Sequence, residues 1–253
     1  MIQQKQNNCN KELLERYSRQ IASSVFNLNG QEALSNTKIA IVGQGALGTS
    51  TSELLVRAGI KKLILIDNDK IELSNLQRQC LFEEKDINKN KVITAKHKLN
   101  KINSNVKIKT YNLKLSQDNI NHINELKNVD LILDCTDNFE IRFIINNFCK
   151  INKIPWIFSS AINIEGMIIF IHPEGPCLKC IFPDKVQNQF CSSEGILNTT
   201  TRIISSLQIN LALNYILTKT YKTELIKVNS WNMKIDKYKV NKNKKCKLCQ
   251  NNS

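Results

Sequence analysis

The sequence predicts an α/β fold, and three observations predict it. Short, continuously apolar runs alternate with stretches of helical periodicity as far as about residue 160. A glycine-rich turn, Gly43-Gln-Gly-Ala-Leu-Gly48, sits where the first of these runs feeds a helical stretch. Two C-x-x-C pairs, Cys177-Leu-Lys-Cys180 and Cys246-Lys-Leu-Cys249, lie far downstream. The alternation implies a Rossmann-like, doubly wound, mostly parallel sheet. The cysteine pairs imply a structural zinc site that ties down an antiparallel C-terminal extension.

Taken in order, Lys11 to Asn27 reads as a helix, with Leu13, Leu14, Tyr17, Ile21 and Val25 near helical spacing. Lys38-Ile-Ala-Ile-Val42 is apolar without alternation, as a strand covered on both faces should be. The glycine turn follows it, then a helix from Leu47 to Ala58 that Gly59 stops. Lys62 to Ile66 is the second strand and ends in Asp67-Asn-Asp69. Lys89 to Asn100 is helical, Asn105 to Asn112 a strand, and Asp118 to Lys127 helical again. Val129 to Leu133 is a strand that runs into Asp134-Cys-Thr-Asp-Asn138. A helix from Asn138 to Ile151 and a strand from Trp156 to Ser160 complete the alternation. Asn163 to His172 reads as an antiparallel extension, and residues 184 to 201 are polar and irregular. Thr201 to Thr218 is a long helix, and two strands near 224 to 240 lead to the second cysteine pair. The organisation expected is a single unit over residues 1–253, with a nucleotide-binding core at about 12–160 and a zinc-tied extension at about 161–253.

Composition sets the class. At 253 residues and 42% hydrophobic content the chain can bury a large core. No stretch approaches a membrane span, and the polar N-terminus lacks a signal-peptide core, so a cytoplasmic protein without membrane association is expected. The net charge of +14 raises a nucleic-acid reading. The lysines are scattered, however, except between Lys237 and Lys247, so no nucleic-acid partner is expected and an acidic protein partner fits the charge as well.

G-x-G-x-x-G alone is weak, but here it follows a strand, opens a helix and has Asp67 at the end of the next strand. That context suits a nucleotide whose ribose hydroxyls meet Asp67. Beyond it, Asn75, Arg78 and Lys91 lie past strand ends, and two fixed cations with an amide suit a triphosphate better than a nicotinamide ring. Asp134 and Asp137 at another strand end offer oxygen ligands for Mg²⁺. Singly, each of these is an ordinary solvated charge; as a set they favour ATP chemistry over a dehydrogenase or an inactive scaffold. The four paired cysteines leave no open coordination position, which favours structural zinc over a redox C-x-x-C.

These stretches resemble the ThiF/MoeB family of adenylating enzymes, relatives of the ubiquitin-activating enzymes that activate ubiquitin-like sulfur carriers. The resemblance is carried by Arg16-Tyr-Ser-Arg-Gln-Ile21, Gly43 to Gly48, Asp67 to Gln79, Asp134 to Asn138 with Arg142, and the paired C-x-x-C. Leu81 to Ile87 and Cys180-Ile-Phe-Pro-Asp184 bring it nearest to the ThiF branch, which serves thiamine thiazole synthesis; the MoeB branch of molybdopterin synthesis is the alternative. The resemblance implies ATP-dependent adenylation of a carrier's C-terminal glycine carboxylate, with release of pyrophosphate. It implies that Gly43, Gly45, Gly48, Asp67, Asp69 and Asn138 bind the nucleotide, that Asn75, Arg78 and Lys91 stabilise phosphates, and that Asp134 organises Mg²⁺. Arg19 would reach the site of the other subunit of a homodimer. Cys191 would form an acyl disulfide with the activated carrier, its sulfur supplied by a separate persulfide donor. Two departures stand out: Ala46 where the family has glycine, and Asn198 to Ser206 where relatives carry glycines and a proline.

Overall fold

The computed structural model describes residues 13–182 and 195–250. Eight strands form one sheet in the order β3-β2-β1-β4-β5-β6-β7-β8. The first five are β1 (Lys38–Val42), β2 (Lys62–Ile66), β3 (Lys107–Tyr111), β4 (Leu131–Asp134) and β5 (Trp156–Ile162), and they pair in parallel. Antiparallel pairing then adds β6 (Glu165–Ile171), β7 (Glu224–Asn229) and β8 (Lys234–Lys239). The change of direction falls at the β5–β6 hairpin, where the sequence pattern itself changes.

The unbroken apolar runs are explained by burial on both faces. Ile39 and Ile41 of β1 with Leu63 and Leu65 of β2 face one core, whereas Ala40, Val42, Ile64 and Ile66 face the other. Alternate residues point to opposite layers, so neither set may be polar. The first layer holds α3 (Ala46–Ala58), α4 (Lys91–Ile102) and the 21-residue α7 (Asn198–Thr218), which packs on α3, β5 and β6. The second holds α5 (Phe139–Asn152). Two one-turn helices, α6 (Leu178–Ile181) and α8 (Lys247–Gln250), carry the cysteine pairs.

Two expectations are corrected. The N-terminal helix, α1, covers 13–21, and a separate helix, α2 (Asn27–Asn36), follows a turn. The buried side of α2 carries Gly30, Gln31 and Leu34, only one of them a large apolar residue, so its periodicity is faint. Gln31 is buried through hydrogen bonds instead: its Nε2 donates to the Ala58 carbonyl, and its Oε1 accepts from Gln20 Nε2 at 2.6 Å. Residues 118–127 form no α-helix; they form 3₁₀ turns at Ile120–His122 and Asn124–Asn128. The buried residues there, Ile120, Ile123 and Leu126, recur every third position, which fits three residues per turn rather than 3.6.

Candidate active site at the strand ends

Register determines what meets at the carboxyl edge of the sheet. Val42 of β1 is level with Ile66 of β2 and Asp134 of β4, so Gly43, Asp67 and Cys135 emerge side by side. The strand order reverses between β1 and β4, the place where open α/β sheets bind ligands. A cavity of about 1010 Å³ opens there.

The glycine turn forms its floor. Gly43 has φ +92°, and a Cβ on it would lie 2.6 Å from the Cys135 carbonyl oxygen. A Cβ on Gly48 would lie 1.9 Å from the Gly43 carbonyl oxygen, so the turn closes only with glycine at both positions. Gly45 differs. A Cβ there would meet nothing closer than Gln79 Nε2 at 3.9 Å, so the protein's own packing does not require a glycine. Gly45 lines the cavity and leaves it open to a ligand approaching the backbone.

Asp67 is locked beside the turn: its carboxylate accepts from Gln44 N at 2.6 Å and from Asp69 N at 2.7 Å. Burial pushes its carboxyl above the ordinary carboxylate range, opposed by those two amides and by Lys91. Lys91, the first residue of α4, is buried and donates to Asp69 Oδ2 at 2.8 Å, and the outer part of Asp69 is exposed. Asn75 ends a 3₁₀ turn after β2, Leu73–Asn75, and Arg78 lies in the turn that follows, its Nη1 donating to the Ser74 carbonyl at 2.8 Å. Asn138 caps α5, its Oδ1 accepting from Glu140 N at 2.7 Å. Gly43, Gly45, Asp67, Asp69, Asn75, Arg78, Lys91 and Asn138 all line the cavity, so residues from position 43 to position 138 of the sequence share one surface.

Three expected residues stand elsewhere. Gly48 shapes the turn from beneath. Asp134 is fully buried behind the lining. Its carboxylate accepts from Arg142 Nε at 3.2 Å and from Thr136 N and Oγ1 at 3.0 and 2.7 Å. Burial pushes its carboxyl up, with Arg142 the foremost opposing influence. As placed, it takes a cation only by giving up these partners; Asp137, three residues on, is exposed and lines the cavity. Arg19 is exposed on α1, away from the chain's own cavity, with no hydrogen-bond or ion-pair partner among the described residues. Cys191 lies outside the described residues.

Sequence reasoning passed over Gln44, Gln79 and the role of Arg142. Arg142 is buried, lies 4.8 Å from the rings of both Phe139 and Phe158, and donates through Nη2 to the carbonyls of Thr136 and Ser159. The cationic head facing an apolar ring pair is visible only once α5 is folded over β4 and β5.

Outside the lining of this cavity, Cys177, Cys180, Cys246 and Cys249 converge, their four sulfurs lying within 4.8 Å of one another. The separations are 3.9 Å for 177–180 and 3.6 Å for both 177–246 and 180–249. Sulfurs at about 2.3 Å from a tetrahedral Zn²⁺ sit about 3.8 Å apart, so the donor set fits that ion. Cys135 and Cys149, by contrast, are buried thiols whose burial raises them well above the ordinary thiol range, and Cys80 is pushed up to about 11.

A doubly wound sheet with a polar cavity at its switch point and a four-cysteine centre in its tail defines a Rossmann-like α/β protein. The chain belongs to the ThiF family, whose model matches residues 17–248. It is 35% identical over 213 residues to "Adenylyltransferase and sulfurtransferase MOCS3" of Culex quinquefasciatus, covering 80% of this chain. The chain spans about half the length of that relative, 48%. It is 29% identical over 250 residues to the "Sulfur carrier protein adenylyltransferase" of Thermus thermophilus, covering 94% of this chain and 92% of that protein. Among solved structures, E. coli MccB with ATP superposes with a TM-score of 0.77 at 25% identity, over 87% of this chain and 68% of that one. No described helix is long and apolar enough to cross a membrane.

Proposed function

We propose that this protein is a nucleotidyltransferase that adenylates the C-terminal glycine carboxylate of a ubiquitin-like sulfur carrier of the thiamine thiazole type. The observation that carries this reading is the single cavity lined by the ribose-side carboxylate Asp67, the open glycine turn, and Asn75, Arg78 and Lys91. The relatives' names, given above, agree with the reaction class.

A carboxylate oxygen of the carrier attacks the α-phosphorus of ATP, the bond to the bridging oxygen breaks, and pyrophosphate leaves with the electron pair. No proton need be moved, so alignment and charge neutralisation supply the acceleration. Asp67 holds the ribose hydroxyls, and the backbone at Gly43 and Gly45 lies under the phosphates. Arg78 and Lys91 face the developing charge on the leaving group. Lys91 already carries a partner in Asp69, so it binds phosphate by exchanging one anion for another rather than by ordering a free chain. Mg²⁺, when bound, would offset phosphate charge; Asp137 on the cavity wall would offer it an oxygen ligand, and Asp134 would join only on parting from Arg142. Zinc in the four-cysteine centre fastens α8 to α6. Arg19, exposed and remote from its own cavity, completes the site of a second subunit in a homodimer. Cys191 would take sulfane sulfur from a separate persulfide donor, which leaves as a thiol, and the outer sulfur of the resulting persulfide would attack the acyl carbon of the carrier adenylate, releasing AMP and leaving an acyl disulfide.

Carrier-dependent exchange of pyrophosphate into ATP tests the reading. The expected result is exchange with a ThiS-like carrier exceeding that with a MoaD-like carrier, lost in Arg78→Ala and in Lys91→Ala. Exchange that survives both substitutions overturns the assignment, and faster exchange with the MoaD-like carrier reassigns the partner.

A further inference from the structure

Helix α5 carries a buried polar residue at every fourth position, Arg142, Asn146 and Lys150, among buried apolar ones. Residues at this spacing share one side of a helix. Arg142 serves Asp134 and the cavity wall, but the other two turn to the chain that leads into Cys177. Asn146 is 1% exposed, and its Oδ1 accepts from Leu178 N at 2.8 Å. Nδ2 of the same amide is shut off from solvent and has no partner, a cost the fold retains for the sake of the acceptor beside it. Lys150 is 7% exposed, and its Nζ donates to the carbonyls of Pro173 and Gly175, the latter at 3.3 Å and two residues before Cys177. No described carboxylate forms an ion pair with Lys150. A cleft whose lining includes Asn146, Lys150 and Cys177 has no room for a water molecule, so the ammonium is dry as well as unpaired. The second cysteine pair is approached differently: residues 175–178 are all buried, whereas 241–245 are all exposed.

We propose that Asn146 and Lys150 are the outer shell of the four-cysteine centre and make its two halves unequal. They hold the chain through 173–178, so that the Cys177–Cys180 half stands in place before a metal arrives, and the Cys246–Cys249 half is recruited onto it. Groups behind the ligands fix ligand orientation and tune metal affinity in this way. Lys150 has a second effect. Zn²⁺ with four thiolates carries a net negative charge, and a buried cation nearby, screened by no water, offsets it. The inference rests on the fit of the cysteine set to zinc and stands apart from the adenylation reading.

Zinc competition against a chromophoric chelator tests this on Lys150→Met and Asn146→Leu. Each is expected to bind zinc about ten- to a hundredfold more weakly than the parent. Co²⁺ in place of zinc should still give the thiolate-to-cobalt charge-transfer absorption of four sulfur ligands, because the ligands themselves are untouched. Thermal unfolding of the metal-free proteins is read alongside. Zinc affinity equal to the parent's in both variants overturns the inference. So does a lowered metal-free unfolding temperature with zinc affinity retained, which would mark the pair as ordinary struts. The parent supplies a test that needs no variant to fold. With the metal removed, a thiol-alkylating reagent should modify Cys246 and Cys249 before Cys177, as read by mass spectrometry of the digested chain, and equal rates overturn the preformed half-site. A parent that binds no zinc overturns the structural-zinc reading itself, so the two failures are distinguishable.

Discussion

Replacing Arg142 with Met exposes what holds the end of β4 in place. Arg142 and Asp134 form a salt bridge in which the side chains are 5% and 0% exposed. Asp134 is also held by Thr136, and Arg142 also serves two backbone carbonyls. Methionine keeps the apolar contact with Phe139 and Phe158 but strands a buried carboxylate. Removing one partner of such a pair costs about 3–5 kcal/mol, against a total stability of about 5–15 kcal/mol for a folded domain. The loss should also depend on pH, with a definite sign. With the guanidinium gone, burial is less opposed, and the Asp134 carboxyl rises further above its unfolded value of 3.8. A group raised in the folded state favours folding below the unfolded pKa and loses that contribution as pH rises through the folded pKa. Arg142→Met should therefore fall furthest behind the parent at about pH 8 and least at about pH 4, with a slope of at most about 1.4 kcal/mol per pH unit. Urea unfolding followed by the fluorescence of Trp156, which is buried in β5, measures this at each pH. Adding Asp134→Asn to Arg142→Met should recover part of the loss and flatten the pH dependence. A deficit below about 1 kcal/mol, or one constant with pH, refutes the claim that a charge is stranded.

Other perturbations separate the remaining parts of the molecule. Gly48→Ala puts a methyl 1.9 Å from a backbone oxygen and should abolish soluble folded protein; normal expression and an unshifted melting curve would show that the turn yields. Elemental analysis should find one zinc per chain, lost in Cys246→Ser. Chelation should speed proteolysis between 240 and 250 while the β1–β5 core keeps its hydrogen-exchange protection, and uniform loss of protection would contradict a purely local fastening. Arg19→Ala and Lys91→Ala should each abolish exchange alone. Mixed so that subunits redistribute, they should regain about a quarter of the parent activity, because half the dimers then hold one intact site; no regain would place Arg19 outside the site.

The sequence made β1, β2 and β4 legible because each is buried on both faces and therefore cannot carry a polar residue in its interior. The helices α3, α5 and α7 were legible from periodicity and from Gly59. What was obscure was obscure for stated reasons. Helix α2 meets the core largely through hydrogen bonds of Gln31, and such contacts leave no hydrophobic period. The 118–127 segment has three apolar residues at a spacing between two templates, and only the buried triad of Ile120, Ile123 and Leu126 selects 3₁₀ turns. Among site residues, charged groups at strand ends could be named in advance because strand ends are where open sheets bind ligands.

Gln44 and Gln79 could not, because an amide carries no charge and reads as surface polarity until its environment is known. Their contrast bears on how the cavity works. Gln44 is completely buried, and its backbone N–H is held by Asp67 while its side chain meets Gly43 and Ser52, so it belongs to the scaffold. Gln79 is almost as buried, and no described residue meets its amide. Burial alone does not distinguish the two glutamines; satisfaction of hydrogen bonds does. The same criterion sorts the carboxylates. Asp134 is saturated by Arg142 and Thr136 and so acts first as a strut for the strand end, whereas Asp137 and the outer oxygen of Asp69 remain open to the cavity. In the proposed reaction the charge that ATP would meet therefore comes from the rim, Lys91, Arg78 and Asp137, while the buried pair of Asp134 and Arg142 lies behind it.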